Sequence, residues 1–314
     1  MTGRAVNAKP SVGIIGVGNM GGAMAANLLA QGWPVHIHDL DEAKVAELQP
    51  LGAVVQSSSA LMAMHCIVLI VCVVDAEQTE LVLFGPQGAA NYLTPGHTVL
   101  LCPTIAPEDV ERFTHLLAER KVQTIDAPMS GGPARARDGS MSLMLAAPDA
   151  VLAANGALLQ ALSHKRHHVS QRPGDGARTK LVNNLVAGIN LVAAAEGLAM
   201  AQRMGLDLAI MQNVIEQSSG QSWVGTDRMR RVLTNDGAGD YAPRAHMTLL
   251  QKDTRLAVAA AKAAGFTGPL GASASAVFEA ASRAGMADLD DAAVFKLLSD
   301  AQTHETHPKP TIEL

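Results

Sequence analysis

Between Ser11 and Asp39 the chain lays out a strand, a glycine turn, a helix and a second strand without interruption, and few folds accommodate that order. Ser11-Val12-Gly13-Ile14-Ile15 is a short apolar run, and Gly16-Val17-Gly18-Asn19-Met20-Gly21 follows it. A helical pattern runs from Gly22 to Gln31 and ends at Gly32, the usual place for a C-terminal glycine. Pro34-Val35-His36-Ile37-His38 reads as the second strand, closed by Asp39. The G-x-G-x-x-G pattern thus stands in its required context, with a strand before it, a helix after it and an acid about 20 residues on. Its glycines permit a tight turn and a close approach to a pyrophosphate, and the helix N-terminus offers N–H groups to it. Gly16, Val17, Gly18, Asn19, Met20 and Gly21 are therefore candidate cofactor-binding residues. Asp39 is placed to accept both ribose hydroxyls and to repel a 2′-phosphate, which favours NAD over NADP.

The same alternation continues. Residues 65–74 form a continuous apolar run typical of a central parallel strand, and 98–102 and 122–126 are further strands. Helical stretches near 42–49, 77–82 and 107–119 separate them, and 141–146 and 167–170 add two more strands. This predicts an α/β fold, a doubly wound, mostly parallel Rossmann sheet over residues 1–173. Ligands in such sheets bind beyond the carboxyl ends of the strands, where Val73, Val74, Thr104 and Ser130 fall. Ser130-Gly131-Gly132 offers a hydroxyl and backbone N–H groups suited to a carboxylate.

From Gly174 onward the strand signals stop. Helical patterns near 176–204, 207–219, 222–233, 244–264, 270–284 and 291–300 predict an all-helical C-terminal domain, 174–302, with a loose tail at 303–314. The first of these helices is apolar nearly all round, so it must be covered on most sides, and it joins the two domains. Lys180 and Asn184 lie one turn apart on it, and Gly176 lies one turn earlier. A lysine on a mostly buried helix is unusual without a function or partner. Lys252, followed by Asp253, is a further candidate cofactor contact. The Trp223 ring is expected in the core of the second domain.

Composition narrows the partners. A net charge of −5 gives a nucleic-acid partner no electrostatic support. The three cysteines, Cys66, Cys72 and Cys102, form no CxxC and sit in apolar runs, which suggests free thiols in a reducing cytoplasm. Residues 1–10 carry no apolar signal-peptide segment. Residues 181–204 are interrupted by Asn183, Asn184, Asn190 and Glu196 and read as a buried helix rather than a membrane span. His164, His167 and His168 have no Cys or acidic residue near them in sequence, and no metal is expected there.

Taken together, these motifs resemble those of the β-hydroxyacid dehydrogenases, the family of 3-hydroxyisobutyrate dehydrogenase, tartronate semialdehyde reductase and L-threonate dehydrogenase. The resemblance covers about residues 11–300. It rests on Gly16–Gly21, on Asp126-Ala127-Pro128-Met129-Ser130-Gly131-Gly132, on Gly176, Lys180 and Asn184 as G-x-x-x-K-x-x-x-N, and on Lys252-Asp253. Ser222-Trp223 is most similar to the threonate-type branch. The resemblance implies hydride transfer between a small hydroxy acid and the nicotinamide of NAD. It also implies Lys180 as general acid–base, and Ser130, Gly131, Gly132 and Asn184 on the substrate. The apolar helix that joins the domains suggests a homodimer or homotetramer. Partial burial would push the lysine pKa down. Two departures stand out: Pro103 precedes Thr104 where the family often has Ser, and His246 stands where it often has Phe. The alternatives are an imine reductase-like enzyme on the same fold and a catalytically inactive NAD-binding interaction module. Both usually lack the lysine.

Overall fold

The computed structural model describes residues 9–234 and 239–300; the tail expected at 303–314 lies outside them. The chain divides into two compact units, Met1–Lys180 and Leu181–Leu314.

The first unit is built on one sheet. Its strands are β1 (Val12–Ile15), β2 (Val35–His38), β3 (Val54–Val55), β4 (Val68–Val71), β5 (Thr98–Leu101), β6 (Gln123–Asp126), β7 (Met129–Ser130), β8 (Ser142–Ala146) and β9 (Lys165–Ser170). The order is β3-β2-β1-β4-β5-β6-β8-β7, with β9 added beside β8. The strands from β3 to β6 pair in parallel, whereas β8 runs antiparallel to β6 and β7. The sequence reverses direction between β1 and β4, the switch point at which such sheets bind ligands.

Burial on both faces explains the continuous apolar runs. In β4, Val68 and Ile70 join one core with Met24, Leu28 and Leu143, whereas Leu69 and Val71 join another with Met62, Phe113 and Leu117. Helix α1 (Asn19–Ala30) lies over the first core. Helices α2 (Glu42–Leu48), α3 (Ser59–His65), α4 (Ala76–Phe84) and α5 (Pro107–Ala118) follow the strands in turn. In α5, Val110, Phe113 and Leu117 form the buried stripe at i, i+3 and i+7, and Pro107 opens the helix.

The predicted strand at 65–74 is shorter than its apolar run. His65 ends α3 and Cys66 is its C-cap, so pairing begins only at Val68. Three short helices lack a sequence counterpart: α6 (Gly132–Arg137), α7 (Asp149–Ala154) and α8 (Gly156–Leu162). The strand expected at 167–170 begins at Lys165, and His167 and His168 lie on it, largely exposed.

Helix α9 (Asp175–Arg203) starts in the first unit and continues into the second. At 1.5 Å per residue it is about 43 Å long. The second unit adds α10 (Leu208–Glu216), α11 (Trp223–Val232), α12 (Met247–Ala263), α13 (Pro269–Ala281) and α14 (Val294–Asp300). Its core gathers Leu191 and Leu198 of α9, Met229 of α11, Phe278 of α13 and Val294 of α14. Gly188 lets α9 pack tightly here, since a Cβ would stand 2.7 Å from Thr254. Trp223 departs from expectation: its ring is 52% exposed, because it is the first residue of α11 behind the Ser222 cap and Val224 takes the core position. Two buried ion pairs brace this unit, Arg231 to Asp290 at 2.9 Å and Arg228 to Asp291 at 2.7 Å.

Candidate active site

The three fingerprint glycines do three different things. Gly16 has φ +88°, and a Cβ there would stand 2.7 Å from the Cys72 carbonyl oxygen, so only glycine makes the turn. Gly21 brings α1 against the turn, because its Cβ position lies 1.9 Å from the Gly16 carbonyl oxygen. Gly18 has nothing within 4 Å of its Cβ position, so that side of the turn is open to a ligand. Gly18 is also the N-cap of α1 and supplies no side-chain cap, whereas Asp41, Ser58 and Asp75 cap α2, α3 and α4. An open cradle at a helix N-terminus fits a dinucleotide pyrophosphate.

Asp39 follows β2 and is already engaged. Its Oδ2 accepts the Val17 N–H at 2.6 Å and its Oδ1 accepts the Asp41 N–H at 2.9 Å. The acid therefore ties the end of the second strand to the glycine turn. Val73 lies beside Gly16, with its Cγ1 3.1 Å from the Gly16 Cβ position, and Val74 beyond β4 is 48% exposed. Asn19 and Met20 open α1, and Thr104 follows β5, half-buried. These positions all fall at or beyond the carboxyl ends of β1, β2, β4 and β5. The thiols of Cys66 and Cys72 are pushed up to about 12 by burial, with Asp39 adding to the shift at Cys72. They are unreactive at neutral pH.

Ser130 ends the two-residue strand β7, paired with Ser142. Gly131 (φ +130°) and Gly132 (φ +77°) then turn the chain into α6, a backbone path open to glycine and strained for other residues. The Arg135 side chain folds back, with its Cδ 2.9 Å from the Gly131 Cβ position, so a cation-bearing stem covers the turn.

Lys180 is 9% exposed, and Gly176 lies one turn before it on α9. What comes close to Gly176 is the Asp126 carboxyl, whose Cγ is 2.8 Å from the Gly176 Cβ position. Asn184, one turn beyond Lys180, is 8% exposed, and its Nδ2 donates to Asp253 Oδ2 at 2.6 Å. Lys252 pairs with the other oxygen of Asp253 at 2.9 Å. Asp253 thus joins the two candidates of the second unit, Asn184 and Lys252. Sequence reasoning gave Asp126 and Asp253 no role beyond motif membership. Their partners lie 51 and 69 residues away, and nothing local signals them.

A family model described as the NAD binding domain of 6-phosphogluconate dehydrogenase matches residues 11–170. A second, described as the NAD-binding of NADP-dependent 3-hydroxyisobutyrate dehydrogenase, matches residues 174–298. The chain is 36% identical to L-threonate dehydrogenase of Cupriavidus necator over 91% of this chain and 95% of that protein. It is also 36% identical to the Escherichia coli K12 L-threonate dehydrogenase over 92% of this chain and 94% of that one. The crystal structure of 3-hydroxyisobutyrate dehydrogenase from Salmonella typhimurium superposes with a TM-score of 0.86 at 34% identity, covering 92% of this chain and all of that one. The chain belongs to the β-hydroxyacid dehydrogenase family, enzymes that use NAD or NADP to interconvert small hydroxy acids and their oxo products.

Proposed function

We propose that Lys180 is the general acid–base of this dehydrogenase and that its substrate is a short polyhydroxy acid of the L-threonate type. The observation that carries this reading is the burial of the lysine at the start of α9, where a solvated structural lysine has no reason to be. A bound nicotinamide would supply the hydride acceptor or donor for the carbinol carbon. In oxidation Lys180 takes the hydroxyl proton as the carbonyl forms, and in reduction it gives that proton back. Asn184, oriented by Asp253, holds the reacting oxygen. Ser130 and the amides of the Gly131-Gly132 turn receive the carboxylate. The substrate class is taken from the two L-threonate dehydrogenases to which the chain is similar.

Gly16–Gly21 seat the pyrophosphate, Val73, Val74 and Thr104 flank the nicotinamide side, and Lys252 is a further cofactor contact. Asp39 receives the ribose hydroxyls and disfavours a 2′-phosphate, so NAD is preferred over NADP. The protein works in the reducing cytoplasm, consistent with its three unpaired thiols. Residues 1–173 form the cofactor domain and 174–302 the helical one.

A second copy of the chain completes the assembly. Val182, Val186, Ala193 and Met200 recur along one stripe of α9 and are exposed, with Val182 at 65%, Val186 at 52% and Met200 at 61%. Exposed apolar side chains along one helix face, interrupted only by Glu196 between Ala193 and Met200, suit a protein contact.

The test is a panel of hydroxy acids including L-threonate and 3-hydroxyisobutyrate, assayed with NAD and NADP by nicotinamide absorbance. Turnover of L-threonate with NAD is expected. Lys180→Ala is expected to lower kcat roughly 10³-fold while NADH still binds. A Lys180→Ala enzyme with near-normal kcat would remove the lysine from the chemistry.

A further inference from the structure

Helix α9 begins against the end of β6. The Asp126 carboxyl, 1% exposed, accepts the Ala177 N–H on Oδ2 at 3.1 Å. Any side chain at residue 176 would collide with it, so the glycine lets the first turn settle directly on the carboxyl. Burial pushes the Asp126 pKa up to about 7, and the amides of Ala177, Gly176 and Gly174 pull against that rise. The outer side of the same turn is held by surface pairs: Asp175 accepts from Arg172 and Ser170, and Arg178 reaches Glu111 of α5 at 2.7 Å. Asp126 is the one buried anchor in this set.

Behind the carboxyl lies a cavity of about 210 Å³, lined by Asp126, Thr114, Thr124, Lys121, Gln171 and Pro173 among others. Asp126 Oδ1, Thr114 Oγ1 and Thr124 Oγ1 have no hydrogen-bond partner among the described residues, and all three belong to this lining. The carboxyl therefore has two sides, one on the helix amides and one toward the cavity.

We propose that Asp126 is a positioning residue for Lys180: its carboxyl fixes the depth and rotation of the first turn of α9, and so the place of the ammonium one turn further on. This rests on Lys180 being the proton-transferring group. The lever is short, because Lys180 follows Gly176 by four residues on a continuous helix. A displacement of about 1 Å at a reacting group costs on the order of 10²-fold in rate, far more than loss of one hydrogen bond costs in binding.

The experiment compares Asp126→Ala, Asp126→Asn and Lys180→Ala in the full chain, using the panel's best hydroxy acid with NAD at saturation. NADH binding and amide hydrogen exchange are measured on the same proteins. Asn keeps an oxygen for the Ala177 N–H and turns its NH₂ toward the cavity. Asp126→Ala is expected to lower kcat by roughly 30-fold or more, with KM and NADH affinity within about threefold of wild type. Asp126→Asn is expected to restore kcat to within about fivefold. Exchange across residues 174–181 should accelerate in the alanine variant while β1 and β4 stay protected. Unchanged exchange there, or a kcat for Asp126→Ala within about threefold of wild type beside an inactive Lys180→Ala, overturns the inference alone. Turnover surviving in Lys180→Ala overturns the reading beneath it. The exchange arm decides on the anchor without any turnover.

Discussion

Asp126 shows how one residue can couple stability to pH. An acid whose folded pKa is raised to about 7 holds its proton in the native state longer than in the unfolded chain. Its contribution is fully present below the ordinary carboxylate pKa and is lost as pH rises through about 7. Replacing it with neutral Asn removes that loss. The Asp126→Asn variant should therefore gain stability relative to wild type between pH 5 and pH 8, by up to about 3 kcal/mol. Urea midpoints at the two pH values check the sign. An equal difference at both would mean that the carboxyl does not titrate in this range. Asp253 is the counterpart in the second unit, since its two oxygens serve Asn184 and Lys252. Neither acid was legible in the sequence as an organiser, because each acts through a partner distant in the chain. Lys180 stands out in the sequence by its spacing, one turn after Gly176 and one turn before Asn184 on the same helix.

At the scale of elements, legibility followed length. The long helices and the central strands carried their own periodicity, and β1-α1-β2 carried glycines whose geometry fits few alternatives. The helices α6, α7 and α8, of six or seven residues, did not; they are too short for a 3.6-residue period to stand out. The apolar run at 65–74 misled for a related reason, because a buried helix end and the strand after it look alike in hydrophobicity. The second unit's element packing depends on charge that the sequence left unpaired. Asp290 is fully buried; burial alone would raise its pKa, but Arg231 and the amides of Arg244, Ala292 and Ala245 outweigh it and hold it at about 2. Its stabilisation is present above the ordinary carboxylate pKa and is lost as pH falls through about 2. Asp290→Ala strands the Arg231 guanidinium between α11 and the turn before α14. It should cost about 3–5 kcal/mol in urea unfolding at neutral pH. A cost under about 1 kcal/mol would mean that water replaces the carboxylate.

For the whole molecule, the proposed second copy would cover the exposed side of α9. By length and composition this helix would also cross a bilayer, so apolarity alone does not choose a partner. A second copy predicts that a charge in the stripe splits the assembly without unfolding it. Val186→Asp, at a position 52% exposed, should sediment at about half the wild-type mass or less, with its circular dichroism retained. Wild-type protein that sediments as a monomer would remove the second copy from the active form. Sequence could place the helix and its apolarity, but not the stripe, because a helix apolar nearly all round shows its free face only once the rest is packed.

The bond from Val17 to Asp39 bears on any attempt to re-engineer coenzyme preference. The carboxylate proposed above to disfavour a phosphorylated ribose is also the tether that keeps the glycine turn in register with the second strand. Exchanging it for a small neutral residue loosens that turn in the same stroke. A designer seeking the other coenzyme must supply a replacement acceptor for the Val17 amide as well as a cation for the phosphate.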